Sequence, residues 1–565
     1  MATKSYLIHY SGNLRANLSS IPGTAIIPLT PYIAAITIDE QYESQLSEIN
    51  SISVLEPEIP YILTDISPLE SANISQFTEG TPINLTGTGV VVGLIDTGID
   101  YTNNEFLRED DTSRILTIWD QSDSSGTAPP SMGFGSEYSN DDINRAIAEF
   151  RAGKDPASIV PERDTIGHGT ECAGIIGARG QGEIKGAAPN CEFAVVKLRV
   201  LNTLTTDATG TSSIPLYSNV DIATAIIYLI DFRQRINRPM VVFLPVSSNY
   251  GGHDGGRPIE EIIDFYSFSA SVFFAVGTGN QGNSQTHASG KIPTTNDSTN
   301  IQLQVGANQP TLNLSIWCNY PDKMSVGITS PSGQVVSRIP AKIFQRNSLN
   351  FLYEKTTVDV TYFFPIITTG NETIDINFTR PAQGIWRITL YGDYIVNGTY
   401  NGWISQRPIS RPGTLLLDSD NFSTITIPST SQNSITTAFY NQNTNSLVDT
   451  SGVGYTTDNM IKPDLTAGGI NVQTTTINNR TTTISGSSAA TAVLAGAMTL
   501  LLQWAITDKN LLNISSEIMK ALLIEGTRKR DTDTYPNPYS GYGQLDLKGT
   551  FDAIRNIYRS DNPIL

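Results

Sequence analysis

A short stretch near the C-terminus constrains the fold of this 565-residue chain more than any other. Residues 483–496 (TISGSSAATAVLAG) are a Gly-Ser turn followed by small residues, and no charged residue occurs between Arg480 and Asp508. This pattern predicts a helix that is buried on all sides. Ser488 falls in its first turn, where free backbone N–H groups and the helix dipole favour negative charge. A nucleophilic serine fits this position, although an isolated Gly-Ser-Ser more often only caps a core helix.

The composition excludes several functions. The net charge of −18 argues against nucleic acid as a partner and against adsorption to anionic membranes. The mostly apolar residues 492–502 are too few to span a membrane. Three cysteines, an odd number in a long chain, predict no disulfide framework. The N-terminus lacks the apolar segment of a secretory signal, so we expect synthesis in the cytoplasm.

The length predicts two to four domains, and the sequence pattern predicts where they lie. Residues 1–65 combine short apolar runs with an amphipathic helical segment at 40–49, which predicts a small α+β unit. Residues 66–297 and 431–565 alternate strand-like with helix-like segments, as is typical of a doubly wound parallel α/β sheet. Residues 298–430 contain only short alternating strands, which predicts an inserted all-β sandwich or jelly roll.

Asp96 and His168 are the next two candidate site residues. Asp96 ends the apolar run 90–95, as at the end of a buried parallel strand, where α/β proteins carry site residues. Asp-Thr-Gly also marks aspartic proteases, but these need two such carboxylates and the chain has no second Asp-Thr-Gly or Asp-Ser-Gly. His168 stands between two glycines, which implies close packing around its ring. Cys172, one turn later, is a possible thiol nucleophile, but it would lie beside the ring rather than in front of it.

Asn280 is a third candidate. It follows the apolar strand 271–276 and a Gly-Thr-Gly turn, so its amide would project from the carboxyl end of the strand. Alone, this signal more often marks a turn than a site. The four histidines show no ligand spacing such as His-Glu-x-x-His, so we expect no metal and no cofactor.

In chain order, Asp96, His168, Asn280 and Ser488 supply a carboxylate, an imidazole, an amide and a hydroxyl. Nucleophilic serine chemistry needs these groups as orienter, base, oxyanion donor and nucleophile. The surrounding sequences resemble the signature blocks of subtilisin-like serine proteases, and the order is that of subtilisin. The matching blocks are VVGLIDTGID (91–100), GHGTECAG (167–174), TGN (278–280) and GSSAATA (486–492).

This resemblance implies a role for each residue and a subtilisin-like fold. Asp96 would orient His168, which would act as general base and acid. Ser488 would attack the peptide carbonyl, and the Asn280 side chain with the Ser488 N–H would bind the oxyanion. The implied substrate-binding residues are Pro245, Val246, Ser247, Gly277, Thr278 and Gly279.

The resemblance also gives the N-terminal 65 residues a role. They would be a ferredoxin-like propeptide and intramolecular chaperone, with residues 61–64 as a tail in the substrate cleft. We predict self-cleavage at Thr64–Asp65, within a few residues. The expected partners are therefore a protein substrate and the chain's own propeptide.

A narrower resemblance rests on segments 114–121, 137–145 and 249–254 and on the β insertion. These are similar to the clostridial Csp germination proteases. The similarity implies a spore-associated protein that activates a cortex-lytic hydrolase by removing the propeptide of that zymogen.

Two departures from the subtilisin pattern alter these expectations. Pro245 removes a backbone donor from the implied substrate-binding strand, which keeps an inactive scaffold in germination signalling open as an alternative. A general intracellular scavenging protease is a third interpretation, against which the large insertion argues. Residues 178–186 are too short for the strong calcium loop of the family, so we expect no calcium there.

Overall fold

The structure is a computed structural model that describes residues 3–19, 21–63, 69–77, 83–182, 184–205, 213–268, 271–342 and 345–559. The described residues form a small N-terminal sheet, a central sheet with helices on both faces, and a unit of two antiparallel sheets. The functional candidates lie at the carboxyl edge of the central sheet.

The N-terminal sheet is antiparallel, in the order β2-β3-β1-β4. Its elements are β1 Thr3–Tyr10, α1 Leu14–Leu18, β2 Ala25–Pro28, β3 Ile33–Asp39 and β4 Ile52–Pro57. The predicted helix at 40–49 is a 3-10 helix, Glu40–Glu48, whose first turn no side chain caps. A further strand, β5 Pro60–Leu63, leaves this sheet and joins another.

The first part of the central unit alternates strands with helices, as predicted. Its elements are β6 Val91–Asp96, β7 Ile115–Asp120, β8 Ser136–Ser139, α2 Asn140–Arg151, α3 His168–Gly177, β9 Glu192–Lys197, β10 Val200–Thr205, β11 Ser213–Ser218, α4 Asn219–Ile236, β12 Met240–Leu244, β13 Val246–Ser247, α5 Pro258–Ser267 and β14 Val272–Gly277. Short 3-10 turns lie at Glu70–Ala72, Ile74–Phe77, Asn104–Phe106 and Pro156–Ser158.

The following strands form the β unit. They are β15 His287–Lys291, β16 Ser298–Val305, β17 Thr311–Cys318, β18 Lys323–Thr329, β19 Val335–Ile339, β20 Arg346–Phe351, β21 Thr356–Phe363, β22 Glu372–Thr379, β23 Gly384–Tyr394, β24 Thr399–Ile404 and β25 Leu415–Leu416. Two antiparallel sheets, β15-β24-β17-β22-β21-β20 and β19-β18-β23-β16-β25, share one apolar core. Strand β15 lies ahead of residue 298, where the sequence predicted the insertion to begin.

The chain then returns to the central unit. Its last elements are β26 Ile435–Asn441, β27 Ser446–Leu447, β28 Leu465–Gly468, β29 Val472–Thr476, a 3-10 turn Ile477–Asn479, β30 Arg480–Ile484, α6 Ser487–Leu502, a π-helical turn Gln503–Thr507, α7 Ser516–Glu525 and α8 Leu547–Arg559.

The central sheet runs β27-β26-β14-β12-β6-β9-β7-β8, with β28 paired to β26. Its strands pair in parallel except at β8 and β27. Side chains of β6 alternate between two cores: Val92 and Leu94 pack with α3 and α6, while Val91 and Ile95 pack with α4. Helices therefore cover both faces, which is the predicted doubly wound arrangement.

Helix α6 with its π-helical turn, Ser487–Thr507, is the one described helix whose length and composition would suffice to cross a membrane. It is 89% buried inside the protein, with a mean hydropathy of 1.7. Its neighbours are α3 on one side and strands of the central sheet on the other. The apolar character of α6 is thus explained by its place in the core.

The N-terminal sheet packs on α4 and α5. The Asn219 Oδ1 at the start of α4 accepts the Ile59 N–H at 3.0 Å, and its Nδ2 donates to Glu56 at 2.9 Å. On α5, Tyr266 donates to the Leu29 carbonyl at 2.7 Å. These contacts direct the chain after β4 towards the edge of the central sheet.

Candidate active site

Three elements far apart in the sequence bring Asp96, His168 and Ser488 together. Asp96 is the last residue of β6, His168 the first residue of α3, and Ser488 the second residue of α6. All three side chains are buried. The sequence permits this approach at Gly169, where a Cβ would lie 2.1 Å from the Gly98 carbonyl oxygen. Only glycine lets α3 pack this closely on the loop that follows β6.

The imidazole of His168 lies between the carboxylate and the hydroxyl. Its Nδ1 is 2.9 Å from both carboxylate oxygens of Asp96, and its Nε2 is 3.2 Å from the Ser488 Oγ. The Thr97 N–H also donates to Asp96, at 2.6 Å. A carboxylate on Nδ1 fixes the tautomer that leaves Nε2 free to accept the serine proton.

The charge of Asp96 sets the protonation of this ring. Burial alone would lower the pKa of His168, but the Asp96 carboxylate, with a further contribution from Cys172, outweighs burial and holds that pKa well above 6.5. The carboxylate thus stabilises the imidazolium that forms when Nε2 takes up the serine proton.

Asn280 lies at the start of α6, next to the residue before Ser488. Its Oδ1 accepts the Ser487 N–H at 3.1 Å, and the Gly279 N–H donates to the Ser487 Oγ at 3.0 Å. The Asn280 Nδ2 donates to no described residue and so remains available to a ligand. The N–H of Ser488 belongs to the first turn of α6, where backbone donors lack a partner within the helix.

The segment before Asn280 is held by β26 of the central sheet and by the chain that returns from the β unit. The Thr278 N–H donates to the Thr437 carbonyl, and the Thr278 carbonyl accepts the Thr426 N–H, both at 3.0 Å. A Cβ on Gly279 would lie 2.4 Å from the Thr426 side chain. This edge of Gly277-Thr278-Gly279 is therefore covered by the chain that returns from the β unit.

Strand β5 occupies the groove beside these residues. It lies between β11 and β13, antiparallel to both, with Ile62 opposite Ser247 and Leu63 opposite Val246. Pro245 stands just outside this ladder, so its missing N–H does not prevent strand pairing at Val246 and Ser247. The groove thus accepts an extended chain in spite of the proline. The predicted cleavage residues, Thr64 and Asp65, lie outside the described residues.

Cys172 lies against the ring of His168, as the sequence predicted. Its buried Sγ is 3.9 Å from each ring nitrogen, whereas the Ser488 Oγ is within hydrogen-bond distance of Nε2. Among the described residues, Asp96, His168 and Cys172 form the one trio whose possible metal ligands lie within 4.8 Å of one another. An ion there would compete with Ser488 for the imidazole.

The loop 178–186 is held by a carboxylate. The Glu105 side chain accepts the N–H groups of Gly180, Gln181 and Gly182 at 2.7, 3.2 and 2.7 Å. Backbone donors thus occupy both oxygens of this carboxylate. The expectation that no calcium binds here stays a prediction.

Asp164 is a residue that sequence reasoning missed. Its Oδ1 accepts the Thr97 hydroxyl at 2.9 Å and the Gly167 N–H at 2.8 Å, and its Oδ2 accepts the Thr170 hydroxyl at 2.7 Å. The Thr97 hydroxyl in turn accepts the Gly169 N–H at 2.9 Å. One buried carboxylate thus connects the loop after Asp96 to the first turn of α3. The available signal was an acidic residue just ahead of a predicted helix start.

We expect Asp164→Asn to lower the rate at which a fluorophosphonate modifies Ser488 by about tenfold. An asparagine accepts on one side only, and a single unpaired buried donor costs about 1–3 kcal/mol. Mass spectrometry of the modified chain measures the rate. Asp155→Asn, an exposed carboxyl that caps a nearby 3-10 turn, is the matched control. A rate for Asp164→Asn equal to that of the control would show that Asp164 does not position the ring.

The same reaction should depend on pH through His168. The Asp96 carboxylate raises the pKa of His168, so the ring stays protonated up to a higher pH. As pH falls, a smaller fraction of the ring is in the neutral form that can accept the serine proton. The modification rate of Ser488 should therefore fall to half at a pH above 6.5. Asp96→Asn removes the charge, so its slower reaction should lose half its rate at lower pH than wild type. An identical midpoint in both chains would contradict this assignment.

Comparison with known proteins supports the sequence resemblance. The model of the subtilase family, peptidase S8, matches residues 87–543. The chain is 24% identical over 501 residues to a PII-type proteinase of Lacticaseibacillus paracasei, and 23% over 500 residues to a PI-type proteinase of Lactococcus lactis subsp. cremoris. Each alignment covers 80% of this chain but 24% of the relative, so the chain spans about a quarter of the length of these proteins.

A solved structure is also similar over its full length. The CspB protease of Clostridium perfringens is 29% identical, with a TM-score of 0.75 over 86% of this chain and 100% of that one. The family match includes every residue of the site described above, from Asp96 to Ser488. The chain belongs to the subtilase family.

Proposed function

We propose that the chain is a serine endopeptidase in which Asp96, His168 and Ser488 form the catalytic triad. Ser488 attacks the peptide carbonyl while its proton passes to the Nε2 of His168. Asp96 holds the ring and stabilises the imidazolium. The proton then moves to the leaving amine, and water hydrolyses the acyl-enzyme by the same route.

Asn280 has a separate role in this proposal. The negative oxygen of the tetrahedral intermediate accepts from the Asn280 Nδ2 and from the Ser488 N–H. Because Oδ1 is bound to the Ser487 N–H, the amide is already oriented when the charge develops. One such donor typically contributes about 2.7–4 kcal/mol to the stability of the transition state.

The contact of His168 with both Asp96 and Ser488 carries the proposal. Inactive members of an enzyme family need not keep a carboxylate and a hydroxyl on opposite nitrogens of one buried ring. Here these distances are 2.9 and 3.2 Å. The raised pKa of the ring makes the neutral imidazole a stronger proton acceptor, as a general base requires.

Strand β5 supports self-processing of the N-terminal unit. It pairs with β13 by backbone contacts, which is how proteins add an extended peptide to a sheet edge. Its last residue, Leu63, immediately precedes the proposed cleavage site Thr64–Asp65. Residues 1–65 would thus be the propeptide and the first substrate of the enzyme. No cofactor takes part in this chemistry.

We also propose a role in spore germination. The support is the similarity to the CspB protease along its full length and the sequence segments shared with the Csp group. The physiological substrate would be the zymogen of a cortex-lytic hydrolase, and the protein would be associated with the spore. The propeptide junction of that zymogen would bind in the groove between β11 and β13, in the place that β5 occupies.

A second candidate function is an inactive scaffold in germination signalling. The observation that favours it is the filled groove, since β5 already pairs with both edges. A scaffold would retain the N-terminal unit uncut, whereas a protease would cut it. The two proposals therefore differ in the covalent state of the purified chain.

Intact mass of the purified protein separates them. Wild type should consist of two fragments that separate near residue 64, while Ser488→Ala should remain at full length because its hydroxyl is gone. Cys172→Ala is the matched control, since it removes the other nucleophile beside His168 and should still give both fragments. Full-length wild type would favour the scaffold. Cleavage of Ser488→Ala, or loss of cleavage in Cys172→Ala alone, would contradict the assignment of the nucleophile.

A further inference from the structure

A cavity of about 290 Å³ lies where the N-terminal sheet, α5 and the β unit meet. One wall is β4, a second is the turn Gly256-Arg257-Pro258 at the start of α5, and a third comes from the β unit. Ile367, which lines the cavity, is 54% exposed, so the cavity reaches the surface there. This place is distinct from the groove that holds β5.

Two oxygen atoms of β22 in the wall have no hydrogen-bond partner among the described residues. They are the Oδ1 of Asp375 and the Oγ1 of Thr373, both in buried side chains. The two residues are alternate positions of β22, so they point from the same face of the sheet. The other Asp375 oxygen accepts the Tyr250 hydroxyl at 2.6 Å. A ligand that donates hydrogen bonds would satisfy both orphan atoms.

The fixed charges of the wall favour a cation. Glu56 and Arg257 form an ion pair at 3.2 Å, and the Asn219 amide also donates to Glu56. Asp375 is then a second carboxyl group beside a single guanidinium. Burial raises the pKa of both Glu56 and Asp375, and the charge of Arg257 opposes this shift at each carboxyl group.

The rest of the wall is apolar and aromatic. Trp317, Phe363 and Tyr250 line it together with aliphatic side chains of β4 and of the loop around Ile367. The Arg257 guanidinium already lies over the Tyr250 ring, 5.5 Å from its centroid. Aromatic faces attract cations when water is excluded. Water alone would satisfy the two orphan oxygens but would gain nothing from these rings.

We propose that this cavity binds a small organic ammonium ion with an apolar body, whose N–H groups donate to Asp375 and Thr373. The body would fill the space between the aromatic rings and β4. Because the walls belong to three units, the occupant would also stabilise the N-terminal sheet in its docked position. A ligand that binds only the folded, docked protein raises its melting temperature.

The test uses three probes of equal bulk and different charge on the full-length Ser488→Ala chain. These are phenethylammonium, the neutral 2-phenylethanol and the anionic 3-phenylpropanoate. Calorimetry at pH 7 should show saturable 1:1 binding of phenethylammonium, at least tenfold weaker binding of the alcohol and no binding of the anion. At equal concentrations, the melting temperature should rise most with phenethylammonium, less with 2-phenylethanol and not with 3-phenylpropanoate. Equal binding of all three probes, or no saturable binding of the cation, would overturn the proposal.

Variants locate the probe. Asp375→Asn should weaken phenethylammonium about tenfold and leave 2-phenylethanol unchanged, since only the charge is lost. Ile367→Trp, at the half-exposed mouth, should weaken both probes without altering the buried wall. Asp418→Asn, an exposed carboxyl of the same β unit, is the control and should bind as the parent does. Unchanged cation binding in both Asp375→Asn and Ile367→Trp would place the probe elsewhere and refute the site.

Discussion

The close packing of α3 on the loop after β6 is the contact on which the site depends. Gly169 lies so near the Gly98 carbonyl that no side chain fits between them, and this distance sets His168 beside Asp96. Helix α6 then brings Ser488 to the far nitrogen of the ring. The buried carboxylate of Asp164 secures the same contact through hydrogen bonds to the loop and to the helix. Each of these interactions joins segments that are distant in the sequence.

A second set of contacts governs access to the site. The N-terminal sheet is held on α4 and α5 by Asn219, Glu56 and Tyr266, and this docking carries β5 into the groove between β11 and β13. The β unit contributes to the same junction, since Trp317 and Asp375 face the N-terminal sheet across the cavity. The N-terminal sheet, from which β5 extends, is therefore in contact with α4, α5 and the β unit.

The sequence predicted those elements whose signals lie in neighbouring residues. An uncharged run of small residues predicted α6, an apolar run ending in Asp96 predicted β6, and glycines around His168 predicted close packing. Each pattern lies within a few residues of the side chain it concerns. The family resemblance supplied the relation between these segments. Asn280 was predicted as a site residue only through the family resemblance, because the local sequence around it indicates no more than a turn.

What the sequence could not predict depends on contacts across long separations. Asp164 and Asp375 were not recognised, because Asp164 also binds Thr97 and Asp375 binds Tyr250, and both of these partners lie on other segments. Pro245 was expected to disturb substrate binding, but whether a missing N–H is harmful depends on the register of the ladder, which only the fold fixes. Strand β15 lies ahead of the predicted start of the insertion, and its pairing partner, β24, comes more than a hundred residues later.

The central claim is that Ser488 cuts the chain whose own strand lies in its groove. The most direct measurement is the rate at which refolding wild-type protein splits near residue 64, followed by mass over a hundredfold range of protein concentration. Intramolecular cleavage predicts a first-order rate that is independent of concentration, and no cleavage of Ser488→Ala when the two chains are mixed. A rate that rises with concentration, or cleavage of the Ser488→Ala chain by wild type, would contradict it.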